Sequence, residues 1–201
     1  MLSLFGYKIH STARIGFSLI YPDHLVMGEG SRIGSLSVCK GLTLLEMGGQ
    51  SRIGNLNWIS GFPAANKTFF AGEPDRHPEL VIGEHSAITN RHLIDCTNSV
   101  RIGRFTTFAG FRSQILTHSI DLYRGCQSSK PVTIGDYCFV GTNSVLLGGS
   151  SLPDCSILAA SSLLNKQHSE THQVYAGNPA TPVKSLPQDM AYFRRSQGYI
   201  H

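Results

Sequence analysis

Nine histidines and thirteen carboxylates are the groups of this 201-residue chain best suited to moving a proton. One pair stands out by its place. Thr117-His118-Ser119-Ile120-Asp121 falls in a stretch, Leu116 to Pro131, where the sequence loses the regular pattern on either side of it. Neutral imidazole titrates near working pH and can take the proton of an attacking hydroxyl. Asp121, three residues on, could orient the ring through its other nitrogen, and a backbone carbonyl could do the same. Cys126 lies in the same stretch, but no feature of the sequence argues for a lowered thiol pKa, so a nucleophilic cysteine is the weaker reading. His92 and Arg112 stand where comparable positions hold serine or cysteine, and they are candidates for holding an acceptor. His92 has a structural reading too, as a corner hydrogen bond. His10, His24, His77, His168, His172 and His201 read as surface residues.

A repeat must position these groups. Arg-Ile-Gly occurs at Arg14-Ile15-Gly16, Arg32-Ile33-Gly34, Arg52-Ile53-Gly54 and Arg101-Ile102-Gly103, and Val81-Ile82-Gly83 and Thr133-Ile134-Gly135 extend the series. Their isoleucines are 18, 20, 29, 20 and 32 residues apart, a period of eighteen broken by insertions. From Ile134 an aliphatic residue returns every six positions, as Ile134, Val140, Leu146, Leu152, Leu158 and Leu164. Four places after the first five come Cys138, Ser144, Ser150, Ser156 and Ser162. A period of six does not fit the helical turn but suits a short strand plus a corner, with the aliphatic residue inside and the small one in the bend. Ile82, Ile88, Ile94 and Ile102, Phe108 are imperfect versions of the same run. Three hexads close one coil of a triangular prism, which predicts a parallel β-helix. A sandwich would call for Asn-Gly or Asp-Gly hairpin turns, and the chain has neither dipeptide. Two insertions break the repeat. Gly61 to Leu80, with the adjacent Phe69 and Phe70, is a candidate cover for a neighbour or wall of an acceptor pocket, or a loop without function; Leu116 to Pro131 carries His118.

The hexads, the His118 loop and Ala176-Gly177-Asn178-Pro179-Ala180 together resemble the hexapeptide-repeat acyltransferases, which include maltose, galactoside and polysaccharide O-acetyltransferases. The resemblance spans nearly the whole chain and is strongest from Ile102 to Lys184. It implies an all-β, left-handed parallel β-helix of about seven coils over residues 1–184, and a short C-terminal helical cap over 185–201. The hand comes from the resemblance alone, since right-handed crossovers are the general rule. Acetyl-coenzyme A is the implied donor and His118 the implied base. The same resemblance places the Thr142 amide at the thioester oxygen, Ala160 in a second contact, Lys166 and Lys184 near the phosphates, and Asn90 near the acceptor. It implies a homotrimer with sites between subunits, acting on a sugar hydroxyl of a surface polysaccharide or related saccharide. An amino-sugar amine is the alternative acceptor. A carbonic anhydrase of the same fold would need a zinc-binding histidine five after His118, where Tyr123 stands, so no metal is expected. A non-catalytic scaffold would need neither His118 nor the 176–180 segment.

Composition bounds the rest. A net charge of +4, with basic residues scattered through the repeats, offers no stripe for nucleic acid. Five cysteines without paired spacing read as reduced thiols of a cytoplasmic protein. No basic-then-apolar leader and no run of eighteen apolar residues appears, so the expectation is a soluble protein without a membrane span.

Overall fold

The computed structural model describes residues 6–66 and 68–200. Strands of two to four residues build three faces. The first face stacks Tyr7–Ile9, His24–Met27, Leu44–Met47, Glu79–Ile82, Val100–Ile102, Val132–Ile134 and Ser151–Leu152. The second stacks Arg14–Ile15, Arg32–Ile33, Arg52–Ile53, Ala87–Ile88, Thr107–Phe108, Phe139–Val140 and Ile157–Leu158. The third stacks Leu19–Tyr21, Val38–Lys40, Trp58–Ser60, Leu93–Asp95, Gln114–Leu116, Val145–Leu147 and Leu163–Leu164. All these pairings are parallel, as seven coils of a β-helix require.

Because side chains alternate along a strand, the short strands of the second and third faces send one residue inward, and the longer first-face strands such as His24–Met27 and Glu79–Ile82 send two. Ile134, Val140, Leu146, Leu152, Leu158 and Leu164 are all buried, and so are the small corner residues from Cys138 to Ser162. The core is one column of such side chains.

The Arg-Ile-Gly series does not mark one column. Ile15, Ile33 and Ile53 stack on the second face, whereas Ile82, Ile102 and Ile134 stack on the first. Ile53 pairs with Ile88. Each strand end leads into a tight corner, the one from second to third face and the other from first to second, and both therefore take glycine: a Cβ on Gly34 or on Gly83 would come within 2.7 Å of the backbone of the next coil. A second phase shift lies between Phe108 and Ile115, seven residues apart in the third-face register. Gly110, at φ +74°, absorbs the extra residue. Ser113 then fills the buried corner assigned to Arg112 from the sequence, and Arg112 turns outward.

Both large insertions leave at one edge of the prism, between the third and first faces. Residues 61–78 connect Trp58–Ser60 to Glu79–Ile82, and residues 117–131 connect Gln114–Leu116 to Val132–Ile134. The second insertion is itself ordered as an antiparallel hairpin of His118–Asp121 and Cys126–Ser129.

At the C-terminal end, Gln173–Gly177 extends the second face and pairs antiparallel with Ala180–Ser185. Its Tyr175 is buried beside Leu158 and closes the column. The segment expected to be a helical cap forms only one turn, Ala191–Arg194, with no side-chain N-cap. It lies along the prism: Tyr192 donates to the Cys138 carbonyl at 2.8 Å, and Gly198 passes against His85. No helix among the described residues is long and apolar enough to cross a membrane.

Candidate active site

His118 opens the hairpin at the shared edge, and its ring is held from the coil before. Asp95, on the third-face strand Leu93–Asp95, pairs in register with Leu116, so its carboxylate reaches the chain two residues further on. The Asp95 Oδ2 oxygen accepts from the Thr117 amide and hydroxyl, both at 2.8 Å, and from the His118 amide at 3.0 Å. It also lies 2.8 Å from His118 Nδ1. The Thr97 amide and hydroxyl donate to Oδ1 at 3.1 and 2.6 Å. Burial would push the Asp95 carboxyl up, but the hydrogen bonds from Thr97, Thr117 and His118 together hold it below the usual carboxylate range. An ionised carboxylate only accepts, so Nδ1 carries a proton, and the tautomer of the neutral ring is the one with its lone pair on Nε2.

The first insertion walls this ring. Phe62 meets it edge-on at 5.4 Å between centroids, and Phe70 does so at 6.2 Å. Arg76, itself buried, ties the loop together by donating to the carbonyls of Phe62 at 2.6 Å, Thr97 at 2.7 Å and Pro63 at 2.8 Å, while stacking on Phe70 at 4.4 Å. Desolvation lowers its pKa without approaching neutrality as a chemical issue, since guanidinium stays protonated. Glu73 joins the two insertions, accepting the Ser129 amide at 2.7 Å and hydroxyl at 2.5 Å. On its other side the ring faces a cleft of about 420 Å³ lined by Ser119, Ser128, Lys130, Gly148 and Asn165 among others. A larger cavity, about 530 Å³, lies away from this edge beside Arg52 and the C-terminal segment. The smaller cleft is the better reaction site because it alone meets an imidazole oriented by a buried carboxylate.

The other sequence candidates divide. Asp121 does not orient His118; its Oδ1 accepts from the Tyr123 and Arg124 amides at 3.0 and 3.1 Å and caps the hairpin turn. His92 is buried, with Nε2 2.9 Å from the Thr89 hydroxyl and Nδ1 accepting the Ser113 amide at 3.2 Å, so both ring nitrogens are used inside the corner. Burial pushes its pKa down to about 4, against the opposing pull of the Ser113 contact. The Asn90 side-chain oxygen accepts the Asn55 amide of the preceding coil at 2.7 Å, and Arg112 is exposed. Thr142 and Ala160 share the corner between second and third faces with these residues, not the edge that carries His118. The Thr142 carbonyl accepts the Ser161 amide, and its hydroxyl is bonded to Phe111. Lys166 follows the last third-face strand, beside Asn165 of the cleft, and Lys184 lies on the outermost strand of the second face. Asp95, Phe62 and Arg76 were not singled out from the sequence. Asp95 was within reach: Ile94 belongs to a visible hexad, and a correct stacking of Ile94 on Ile115 puts Asp95 beside the His118 loop. Among the described residues no three histidines, cysteines or carboxylates gather to hold a metal ion.

No family model matches the chain. Among solved structures, a hexapeptide-repeat-containing acetyltransferase from Vibrio cholerae is 27% identical over 54% of this chain, with a TM-score of 0.50. This chain covers 63% of that protein's length. The polysialic acid O-acetyltransferase OatWY aligns over 92% of this chain and 90% of its own, at 18% identity and a TM-score of 0.68. A structure of the Vibrio cholerae acetyltransferase with acetyl-coenzyme A aligns over 92% of this chain and 74% of its own, at 20% identity and a TM-score of 0.53. The resemblance to hexapeptide-repeat acyltransferases read from the sequence is borne out, and with it the left-handed parallel β-helix.

Proposed function

We propose that this chain transfers an acetyl group from acetyl-coenzyme A to a saccharide hydroxyl, with His118 as general base and Asp95 as its orienting partner. The observation that carries the proposal is the 2.8 Å contact between His118 Nδ1 and the buried Asp95 carboxylate at the mouth of a cleft. Nε2 takes the proton of the acceptor hydroxyl as its oxygen attacks the thioester carbonyl. Collapse of the tetrahedral intermediate breaks the C–S bond, and the imidazolium returns the proton to the departing thiolate. No acyl-enzyme is required. Asp95 stays ionised and stabilises the imidazolium while it exists. Lys130 in the cleft and Lys166 next to it are cations near the reacting edge, suited to the negatively charged donor.

A single chain holds the base on one edge and the small, open corner of Thr142 and Ala160 on another. The donor reading of that corner therefore calls for a second copy, whose corner would meet the first copy's His118 edge. The third face supports such an assembly, since its outward in-register residues Leu19, Val38, Trp58 and Leu93 are apolar. A homotrimer would bring three such edges and corners together. The free buried thiols of Cys39, Cys96 and Cys138 support a reducing, cytoplasmic setting. A saccharide hydroxyl as acceptor is favoured by the likeness to OatWY along nearly its full length.

The test is mass spectrometry of a panel of oligosaccharides incubated with the protein and acetyl-coenzyme A. The expected product gains one acetyl group that mild base removes, as an ester requires. An alkali-stable acetyl would instead identify an amine acceptor, and an unmodified panel with unconsumed donor would overturn the proposal.

A further inference from the structure

The Arg-Ile-Gly repeats leave one feature that acetyl transfer at His118 does not use. On the second face Arg14, Arg32 and Arg52 stand in register on three consecutive coils, pointing outward. Neighbouring parallel strands are about 4.8 Å apart, so the three arginines leave the face from backbone positions in a row at that repeat. Like charges placed side by side on adjacent strands repel. Two outward arginines of later coils are paired, Arg101 with Glu79 at 2.5 Å and Arg104 with Asp136 at 2.8 Å. In the row, Arg14 donates only to the Ser11 and Ala13 carbonyls, and none of the three forms an ion pair among the described residues. Glu29 is the one carboxylate on the corners that flank the second face in these three coils, and it forms no ion pair with the arginines.

The row runs into a cavity. About 530 Å³ opens where Arg52 meets His85 and the C-terminal residues Ser196, Gln197 and Tyr199, with Gln50 on the same wall. The lining offers a guanidinium, an imidazole, hydroxyls and side-chain amides, which are donors for a carboxylate and for sugar hydroxyls together. His85 is fixed there by stacking on Phe105 at 4.8 Å, and the chain passes so close at Gly198 that a Cβ would lie 2.3 Å from the His85 carbonyl.

We propose that this cavity and the arginine row form one binding track for an acidic polysaccharide, the cavity taking one acidic sugar and the row the charges that follow it. A linear saccharide with one carboxylate per unit matches a line of single charges at regular spacing. Nucleic acid fits less well, because the row carries no aromatic faces between its cations on which bases could stack. The track deepens the saccharide reading of the acceptor and rests on it for its biological meaning, but its occupancy is measured without acetyl transfer.

Binding of fluorescently labelled polysialic acid oligomers is measured by anisotropy, without coenzyme, for the wild type and for Arg32→Glu/Arg52→Glu. The expected result is binding that weakens about tenfold or more in the variant and weakens with added salt, as a row of phosphate- or carboxylate-binding cations would. Neutral dextran is expected not to bind. Arg32→Gln/Arg52→Gln, compared by thermal melting, separates loss of charge from loss of fold. Equal binding by wild type and both variants, equal binding of dextran, or tighter binding of single-stranded DNA than of the oligosaccharide would overturn the track. Should oligosaccharide binding hold while acetyl transfer fails, the track stands and the transfer reading falls; the reverse pattern removes the track alone.

Discussion

At the scale of residues, the account turns on Asp95. Six hydrogen bonds converge on its carboxylate from Thr97, Thr117 and His118. Asp95→Asn keeps the shape but offers an amide that can donate to Nδ1, which favours the wrong imidazole tautomer. Turnover is expected to fall on the order of 10²–10⁴-fold with little change in KM for acetyl-coenzyme A, as steady-state kinetics would read. An unchanged turnover would remove Asp95 from the mechanism. His118 was legible in the sequence because it interrupts a regular repeat in a place the resemblance marks. Its orienting partner was not, because nearness in sequence favoured Asp121 three residues on, while the true contact spans 23 residues and one coil. Only the stacking register makes that contact visible.

At the scale of elements, corners and insertions do different work. The corner residue His92 is kept neutral by burial, with its pKa near 4 against about 6.5 in an unfolded chain. The unfolded state therefore binds the extra proton between those values, and stability is lost as pH falls from about 6.5 towards 4. At pH 5 the loss from this group is about 2 kcal/mol. Urea denaturation at pH 7 and pH 5 should reveal it, and His92→Gln should flatten the difference; a slope unaltered in the variant would assign the pH dependence elsewhere. In the first insertion, Arg76 is the organiser. Arg76→Met leaves the Phe62, Pro63 and Thr97 carbonyls without their donor, at a cost on the order of 3 kcal/mol or more. The expected signature is rapid proteolytic cleavage within residues 61–78 while the coils stay resistant; wild-type resistance there would show that the loop holds without it. The hexad period identified strands and corners well. It misjudged phase, because Ile-Gly recurs at the ends of both first-face and second-face strands, and because one extra residue at Gly110 moved the buried corner from Arg112 to Ser113.

At the scale of the whole molecule, a single column of aliphatic side chains leaves three flat faces outside. Seven coils at about 4.8 Å make a prism on the order of 34 Å long, and both insertions emerge at one of its edges. That arrangement was partly readable: the period gave the prism, and the breaks gave the two loops. Their convergence on one edge was not, since it depends on which corner each break occupies. It has a chemical result, because the aromatic wall of the first loop and the imidazole of the second meet only through that shared edge. The C-terminal segment likewise reads as a cap in sequence, but the hairpin around Tyr175 already closes the column, and the segment is left to run along the side. The most direct test of the central claim is release of free thiol from acetyl-coenzyme A with an oligosaccharide acceptor, comparing wild type with folded His118→Ala. The account predicts acceptor-dependent release by the wild type and a loss of at least about 10²-fold in the variant; release at the wild-type rate from His118→Ala would contradict it.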